Sequence, residues 1–231
     1  MVNQKWFPYA LLLSLLFIIF FNVGAFSIQK IGLIITGIFQ KLSLVFPVIT
    51  GILFFGEINN VFKSIAIILS ILAIILINLP DKSETNEISV LRKYWYLPFL
   101  VLIGNGLIEI TLFYVEANNL VVGTSLDFVT SLFCLAGIWG LIFMISTRKK
   151  LFTKRDVMAG ICLGIPNFFT IYLLIKALQV GWEGSVLFPI NNVGTLFFTA
   201  VVGVLLFKEK LNIYNYLGLG LAILGVVLIS L

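Results

Sequence analysis

Eight long apolar runs dominate this chain and restrict what it can fold into. Each run is long enough to cross a bilayer, which takes about 20 apolar residues in helical form. Lipid offers no hydrogen-bond partner to an open strand edge, so we expect every run to be an α-helix. The predicted spans cover residues 7–26, 31–56, 60–79, 98–115, 123–146, 157–177, 184–207 and 213–231.

The composition supports the same interpretation. Of the 231 residues, 61% are hydrophobic and 11% are charged, whereas a soluble domain carries about 25% charged residues. A globular core cannot hide this much apolar surface, so the excess must face lipid. We therefore predict an all-α, polytopic protein of about eight transmembrane helices, a multi-pass protein of the cell membrane (the inner or plasma membrane).

Several function classes lack the residues that they require. The chain has no His, which excludes a His-based metal site or proton relay, and its two cysteines, Cys134 and Cys162, both lie in apolar runs. No nucleophile elbow, phosphate loop or metal-binding constellation is present. The net charge of +5 resides in short loops, which indicates membrane orientation rather than nucleic-acid binding. We expect no enzymatic activity, no cofactor, no metal and no nucleic-acid partner.

A shift of 152 residues matches the sequence to itself without a gap. The matched positions include Gly32 and Gly184, Gly51 and Gly203, Glu57 and Glu209, and Asn60 and Asn212. An odd number of crossings separates the two glutamates, so they end on opposite faces of the membrane. This predicts an inverted-topology repeat, the architecture that many secondary transporters use for alternating access.

The same register divides the chain unequally. Residues 1–80 form an incomplete first repeat of three spans, residues 81–97 a linker, and residues 98–231 a complete second repeat of five spans. Roughly two spans have no counterpart before Met1 by this offset. A natural short form, a fragment and a partner that supplies two helices are the open explanations, and a homo-oligomer is a further expectation.

The first apolar run also admits a second interpretation. Lys5 precedes it, and Val23-Gly24-Ala25 resembles the small-residue cleavage site of a signal peptide. Because the repeat runs through this region, we favour an uncleaved first span.

A five-span repeat that ends in a long helix, a Gly-Glu or Lys-Glu turn and a Gly-rich last helix resembles the EamA-type members of the drug/metabolite transporter superfamily. The residues that carry the resemblance are Leu44–Pro47 through Gly56-Glu57, Val186–Pro189 through Lys208-Glu209, and Leu163–Asn167 followed by Lys176–Leu178. The resemblance covers eight of the family's ten helices. It implies a transporter that moves a small organic metabolite by alternating access around a central cavity.

The departure from the family pattern keeps an alternative open. The two absent helices help to line the central cavity in the family. The alternative is therefore a non-transporting or partner-requiring membrane subunit, or a remnant of such a transporter. The resemblance does not identify the substrate, the coupling ion or the direction of transport.

Polar residues inside the spans are the candidate substrate-binding residues, because a polar group in a membrane helix costs energy. Gln40 and Lys41 lie well inside the second span, and the repeat register places Phe39-Gln40 at the same depth as Asn191-Asn192. Inverted repeats place substrate sites near the midplane, at the repeat interface. The alternatives are that the amides hold helices together and that Lys41 extends to the membrane interface.

Three further candidates lie in the second repeat. Glu109 is the carboxylate deepest in a span, and it could carry a proton, pair with Lys41 or contact a cationic substrate. Asn167 follows Pro166, which we expect to interrupt the sixth span, and Tyr172 could stack on a substrate. Asp127 lies near a span end, where an interfacial position is expected.

The distribution of Lys and Arg predicts orientation. Loops after odd-numbered spans hold eleven basic residues, and the other side holds three. The positive-inside rule therefore places residues 148–155 in the cytoplasm and both termini outside. The family resemblance implies the reverse.

Overall fold

The computed structural model of the chain describes residues 3–58, 60–77, 94–146, 153–207 and 212–229. Within these ranges the regular secondary structure is helical, with no strand. The helices are α1 (Phe7–Ile31), α2 (Leu33–Leu42), α3 (Val45–Phe54), α4 (Val61–Ile77), α5 (Tyr96–Ala117), α6 (Ser125–Ser146), α7 (Lys154–Gln179), α8 (Gly184–Phe207) and α9 (Ile213–Ile229).

The eight predicted spans correspond to eight apolar helical segments. Six are long and apolar enough to cross a membrane, and α2 with α3 counts as one of them, from Ile35 to Phe54. The other two, Val61–Ile77 and Ile213–Leu228, are shorter apolar helices. The prediction of an all-α, polytopic membrane protein is confirmed.

Some predictions concern residues outside the described ranges. These are most of the linker predicted at 81–97, the turn Lys208-Glu209, and the basic residues 148–150. The last residues of the predicted linker are described, and α5 already begins there at Tyr96. The repeat boundaries and the orientation stay predictions.

The chain forms two compact units, which are not the predicted repeats. Unit 1 comprises residues 1–21 and 111–182, and unit 2 comprises residues 22–110 and 183–231. In unit 1, the buried Trp6 meets the ring of Phe128 edge-on, with centroids 5.7 Å apart. Helix α7 begins with a capping box, in which Thr153 and Asp156 each bond the other's backbone N–H.

Repeat-related helices run in opposite directions in unit 2. The end of α3 meets the start of α8 through Glu57 and Gly184, so these two helices are antiparallel. The start of α9 meets the end of α4 through Asn215 and Ile77, so this pair is antiparallel as well. The register relates α2–α3 to α8 and α4 to α9, and an inverted-topology repeat requires such reversed directions.

Helices α4 and α9 pack closely because two glycines of α9 face α4. A Cβ atom at Gly218 would lie 2.7 Å from the backbone nitrogen of Ile77, and one at Gly225 would lie 3.3 Å from the carbonyl oxygen of Ala66. Small residues at such positions let membrane helices approach each other. The core beside this contact contains Leu44, Val48, Ala73, Ile74, Val193 and Ala222.

Candidate functional site

The second predicted span is interrupted where its polar residues lie. Helix α2 ends at Leu42 and α3 begins at Val45. At this break two backbone hydrogen bonds join residues three apart in sequence instead of four. Leu44 N–H donates to the Lys41 carbonyl at 3.4 Å, and Phe46 N–H donates to the Ser43 carbonyl at 2.9 Å. Pro47 favours this break, because it has no N–H and its ring clashes with the carbonyl four residues earlier.

The carboxylate of Glu109 lies beside this break. Ser43 Oγ donates to Glu109 Oε2 at 2.9 Å. From α8, Asn192 Nδ2 donates to Glu109 Oε1 at 3.1 Å. Ser43 and Asn192 are buried and Glu109 is half-buried. Three helical segments of unit 2 therefore contribute to one polar cluster, which we call the Glu109 cluster (Ser43, Glu109 and Asn192).

Lys41 is the candidate cationic partner of this carboxylate. Its half-buried ammonium interacts electrostatically with Glu109. Within the described ranges, no Lys41–Glu109 contact comes within 4.0 Å, the range of a salt bridge. The two charges therefore attract each other without closing a direct ion pair.

The other predicted residues of unit 2 lie at the edge of the cluster. Gln40 exposes its side chain, while its backbone carbonyl accepts the Ser43 hydroxyl at 2.7 Å. Asn191 is half-buried, and its backbone carbonyl accepts the Thr195 hydroxyl at 2.6 Å. Their predicted contact with substrate stays a prediction.

Asn167 and Tyr172 belong to unit 1. Asn167 is exposed on α7. Tyr172 stacks on Phe168, and the Lys176 ammonium lies over the Tyr172 ring, 5.9 Å from its centroid. The expected interruption at Pro166 was wrong, because α7 continues through this residue. Membrane helices tolerate proline when neighbouring groups restore the freed backbone.

A second polar cluster lies where α3 ends and α8 begins. The Glu57 carboxylate accepts the backbone N–H groups of Gly184 at 2.6 Å and Ser185 at 2.8 Å, which are orphan donors of the α8 N-terminus. Lys63 donates to the Glu183 carboxylate, to Ser185 Oγ at 3.0 Å and to the Ile58 carbonyl at 2.6 Å. We call these four side chains (Glu57, Lys63, Glu183 and Ser185) the Lys63 cluster.

Sequence reasoning missed Ser43 and the Lys63 cluster. Ser43 is a small hydroxyl residue in an apolar run, and nothing in its neighbours along the chain marks it. Lys63 had a usable signal: it lies three residues after the cap Asn60, inside an apolar run, and not in a loop. It is 6% exposed, so it needs partners from elsewhere in the chain.

The described part of the chain shows no group of three or more His, Cys, Asp or Glu side chains that could hold a metal ion. The Glu109 cluster has one carboxylate, one amide and one hydroxyl. Such a set can accept a proton or the ammonium group of a small molecule, and it can donate through its amide.

Comparison with known proteins gives two findings. The model of the EamA-like transporter family matches residues 111–231, slightly more than half of the chain. An uncharacterized protein of Haemophilus influenzae (strain ATCC 51907 / DSM 11121 / KW20 / Rd) is 27% identical over 218 residues, which is 92% of this chain and 71% of that protein. The second match extends the similarity to nearly the whole sequence.

Proposed function

The chain belongs to the EamA-like transporter family, and on this premise we propose that it moves a small organic metabolite across the cell membrane by alternating access. The Glu109 cluster is the proposed centre of the substrate site. Lys41, Gln40 and Asn191 are proposed to contact the substrate at its edge. The predicted substrate contacts of Asn167 and Tyr172, which belong to unit 1, stay separate predictions.

One observation carries this proposal. Glu109 is an acid within the helix of a membrane protein, and its two carboxylate oxygens are held by Ser43 and Asn192. An ionisable group at membrane depth is expensive and marks a functional site by default. Asn192 is one of the amides that the repeat register places at the depth of Gln40, which supports a site near the repeat interface.

The charges favour particular chemical groups on the substrate. An ionised carboxylate only accepts hydrogen bonds, so Glu109 suits an ammonium or similar cation. Lys41 carries the opposite charge and suits an anionic group. The pair therefore fits a small metabolite with a cationic group, and a second, anionic group would meet Lys41.

Ligand-induced thermal stabilisation of the purified protein tests this proposal first. The panel contains amino acids, sugars, nucleosides and cationic drugs. A ligand present at 100 times its dissociation constant stabilises the folded state by about 2.7 kcal/mol. We expect a cationic or zwitterionic compound to stabilise the wild-type protein, and Glu109→Gln to abolish the shift.

Glu116→Gln is the matched control, because Glu116 lies seven residues further along the same helix, α5. It should keep the ligand shift. Flux of the selected compound into proteoliposomes completes the test: Glu109→Gln and Lys41→Ala should abolish flux while the protein still inserts. Wild-type flux in both variants contradicts the site assignment. A folded sample that no compound stabilises favours the partner-requiring alternative.

A further inference from the structure

Ser43 occupies the break between α2 and α3 and contacts two acceptors at once. Its Oγ lies 2.7 Å from the Gln40 carbonyl oxygen and 2.9 Å from Glu109 Oε2. A serine hydroxyl has one hydrogen to donate. It therefore donates to only one of these oxygens at any moment, and the state of Glu109 determines which one.

The preferred acceptor of the Ser43 hydroxyl changes when Glu109 loses its charge. An ionised carboxylate attracts the hydroxyl more strongly than a neutral carbonyl does, so Ser43 then donates to Glu109. When a proton binds Oε2, Glu109 becomes a donor: Ser43 Oγ accepts that hydrogen and turns its own to the Gln40 carbonyl. No proton leaves either residue in this exchange. A bound ammonium group has a similar effect: it compensates the charge of the carboxylate and so weakens the hydrogen bond from Ser43 to Glu109.

The backbone at the break responds to this choice. In a continuous helix, Leu44 N–H would donate to the Gln40 carbonyl, four residues earlier; here it donates to the Lys41 carbonyl instead. A serine hydroxyl that bonds a carbonyl of the preceding turn slightly destabilises a helix, and here it occupies the Gln40 carbonyl that Leu44 N–H would reach in a continuous helix. The bond from Ser43 to Gln40 thus favours the break, and its transfer to Glu109 favours regular helix.

We propose that Ser43 is a positioning residue that links the charge of the Glu109 carboxylate to the break between α2 and α3. This inference rests on the proposed function, in which Glu109 receives the substrate or a coupling proton. The groups that face Glu109 are Ser43 and Lys41 from the α2–α3 segment and Asn192 from α8. Lys41 is the charged one among the described neighbours.

Hydrogen–deuterium exchange at one pH tests the link, with Glu109→Gln as the neutral form of the side chain. The exchange rates of the amides at Leu44 to Phe46 are measured in nanodiscs for four proteins: wild type, Glu109→Gln, Ser43→Ala and the double variant. We expect Glu109→Gln to accelerate exchange roughly three- to tenfold, the effect of replacing a charge-assisted hydrogen bond by a neutral one. In the Ser43→Ala background the acceleration should vanish.

Thr195 provides the matched control. It occupies the register position of Ser43 in α8, where its hydroxyl donates to the Asn191 carbonyl. In the Thr195→Ala background, Glu109→Gln should still accelerate exchange at the break. Ser43→Cys, which keeps the volume but is a weak donor, replaces Ser43→Ala if that variant does not fold. An equal acceleration with and without the Ser43 hydroxyl overturns the inference.

The outcome separates this inference from the proposed function. If Glu109→Gln abolishes flux but Ser43 has no effect on exchange, the site stands and the link fails. If Ser43 links Glu109 to the break while Glu109→Gln transports normally, the link stands and the proposed site fails.

Discussion

Residues 32–55 and 184–207 occupy the same places in the 152-residue register, yet only the first segment is broken. The first segment has Pro47 where the second, 152 residues later, has Thr199. Thr199 keeps a backbone N–H, and its hydroxyl donates to the Thr195 carbonyl at 2.8 Å. Pro47 offers neither bond. The interruption therefore coincides with Pro47, whereas α8 stays continuous through its own proline, Pro189.

The same pair differs in how its hydroxyl residues are used. Thr195 donates to a single acceptor, the Asn191 carbonyl, within a continuous helix. Ser43 lies between a carbonyl and a carboxylate. The comparison teaches that the repeat supplies a common framework, in which α8 is a continuous helix and α2–α3 is interrupted.

The helices that follow these segments begin alike and then diverge. Asn60 Oδ1 accepts the N–H of Lys63, and Asn212 Oδ1 accepts the N–H of Asn215, so each helix is capped by an asparagine at the same register position. The capped residues differ: Lys63 enters a charged cluster, whereas Asn215 Nδ2 donates to the Ile77 carbonyl at 2.7 Å. One end of unit 2 is thus held by charge and the other by a neutral amide.

The largest effect should come from moving the interruption to α8. Thr199→Pro removes a ladder hydrogen bond in the helix interior, and we expect it to lower the free energy of unfolding by about 3 kcal/mol. Chemical unfolding of the purified protein, followed by circular dichroism, measures the change. Thr199→Ala is the control, with a loss below about 1 kcal/mol. Equal stability of the two variants would show that α8 tolerates a break as α2–α3 does.

An intermediate effect should distinguish the charged end from the neutral one. Lys63→Met removes a buried ammonium with three acceptors, and we expect a loss of about 2–3 kcal/mol, less than for a fully buried pair because the Glu183 side chain is 38% exposed. Asn215→Leu should cost about 1 kcal/mol. The losses are measured by the same unfolding experiment. Stabilisation by Lys63→Met would contradict the assigned role of the Lys63 cluster.

The smallest effect should be shared by both helices. Asn60→Ala and Asn212→Ala each remove a cap, and we expect each to cost about 1 kcal/mol. Asn→Ser at either position keeps a capping oxygen and should restore most of the stability. The same unfolding experiment measures both losses. A clearly different loss in the two alanine variants would mean that the caps, like the residues they bond, differ in their contribution to stability.

The sequence predicted the features that depend on local pattern. Apolar runs located the spans, and the depth of Glu109 and Asn192 within two runs identified members of one cluster before any contact was known. The interruption was expected at Pro166 and occurs before Pro47 instead, because a proline lowers helix stability without deciding whether neighbouring helices restore it. Ser43 and the Lys63 cluster depend on contacts between distant segments, as between Lys63 and Glu183, which local pattern does not encode.

The separation of Lys63 from its partners has a consequence for biosynthesis. Glu183 follows Lys63 by 120 residues, and at synthesis rates of about 5–20 residues per second roughly 6–24 s pass before this acid exists. Helix α4 therefore enters the membrane with an uncompensated lysine, near its end, where the side chain can reach the headgroups. Its final packing has to wait until α8 has been inserted, so a ribosome that stops before residue 183 leaves an intermediate exposed to quality control.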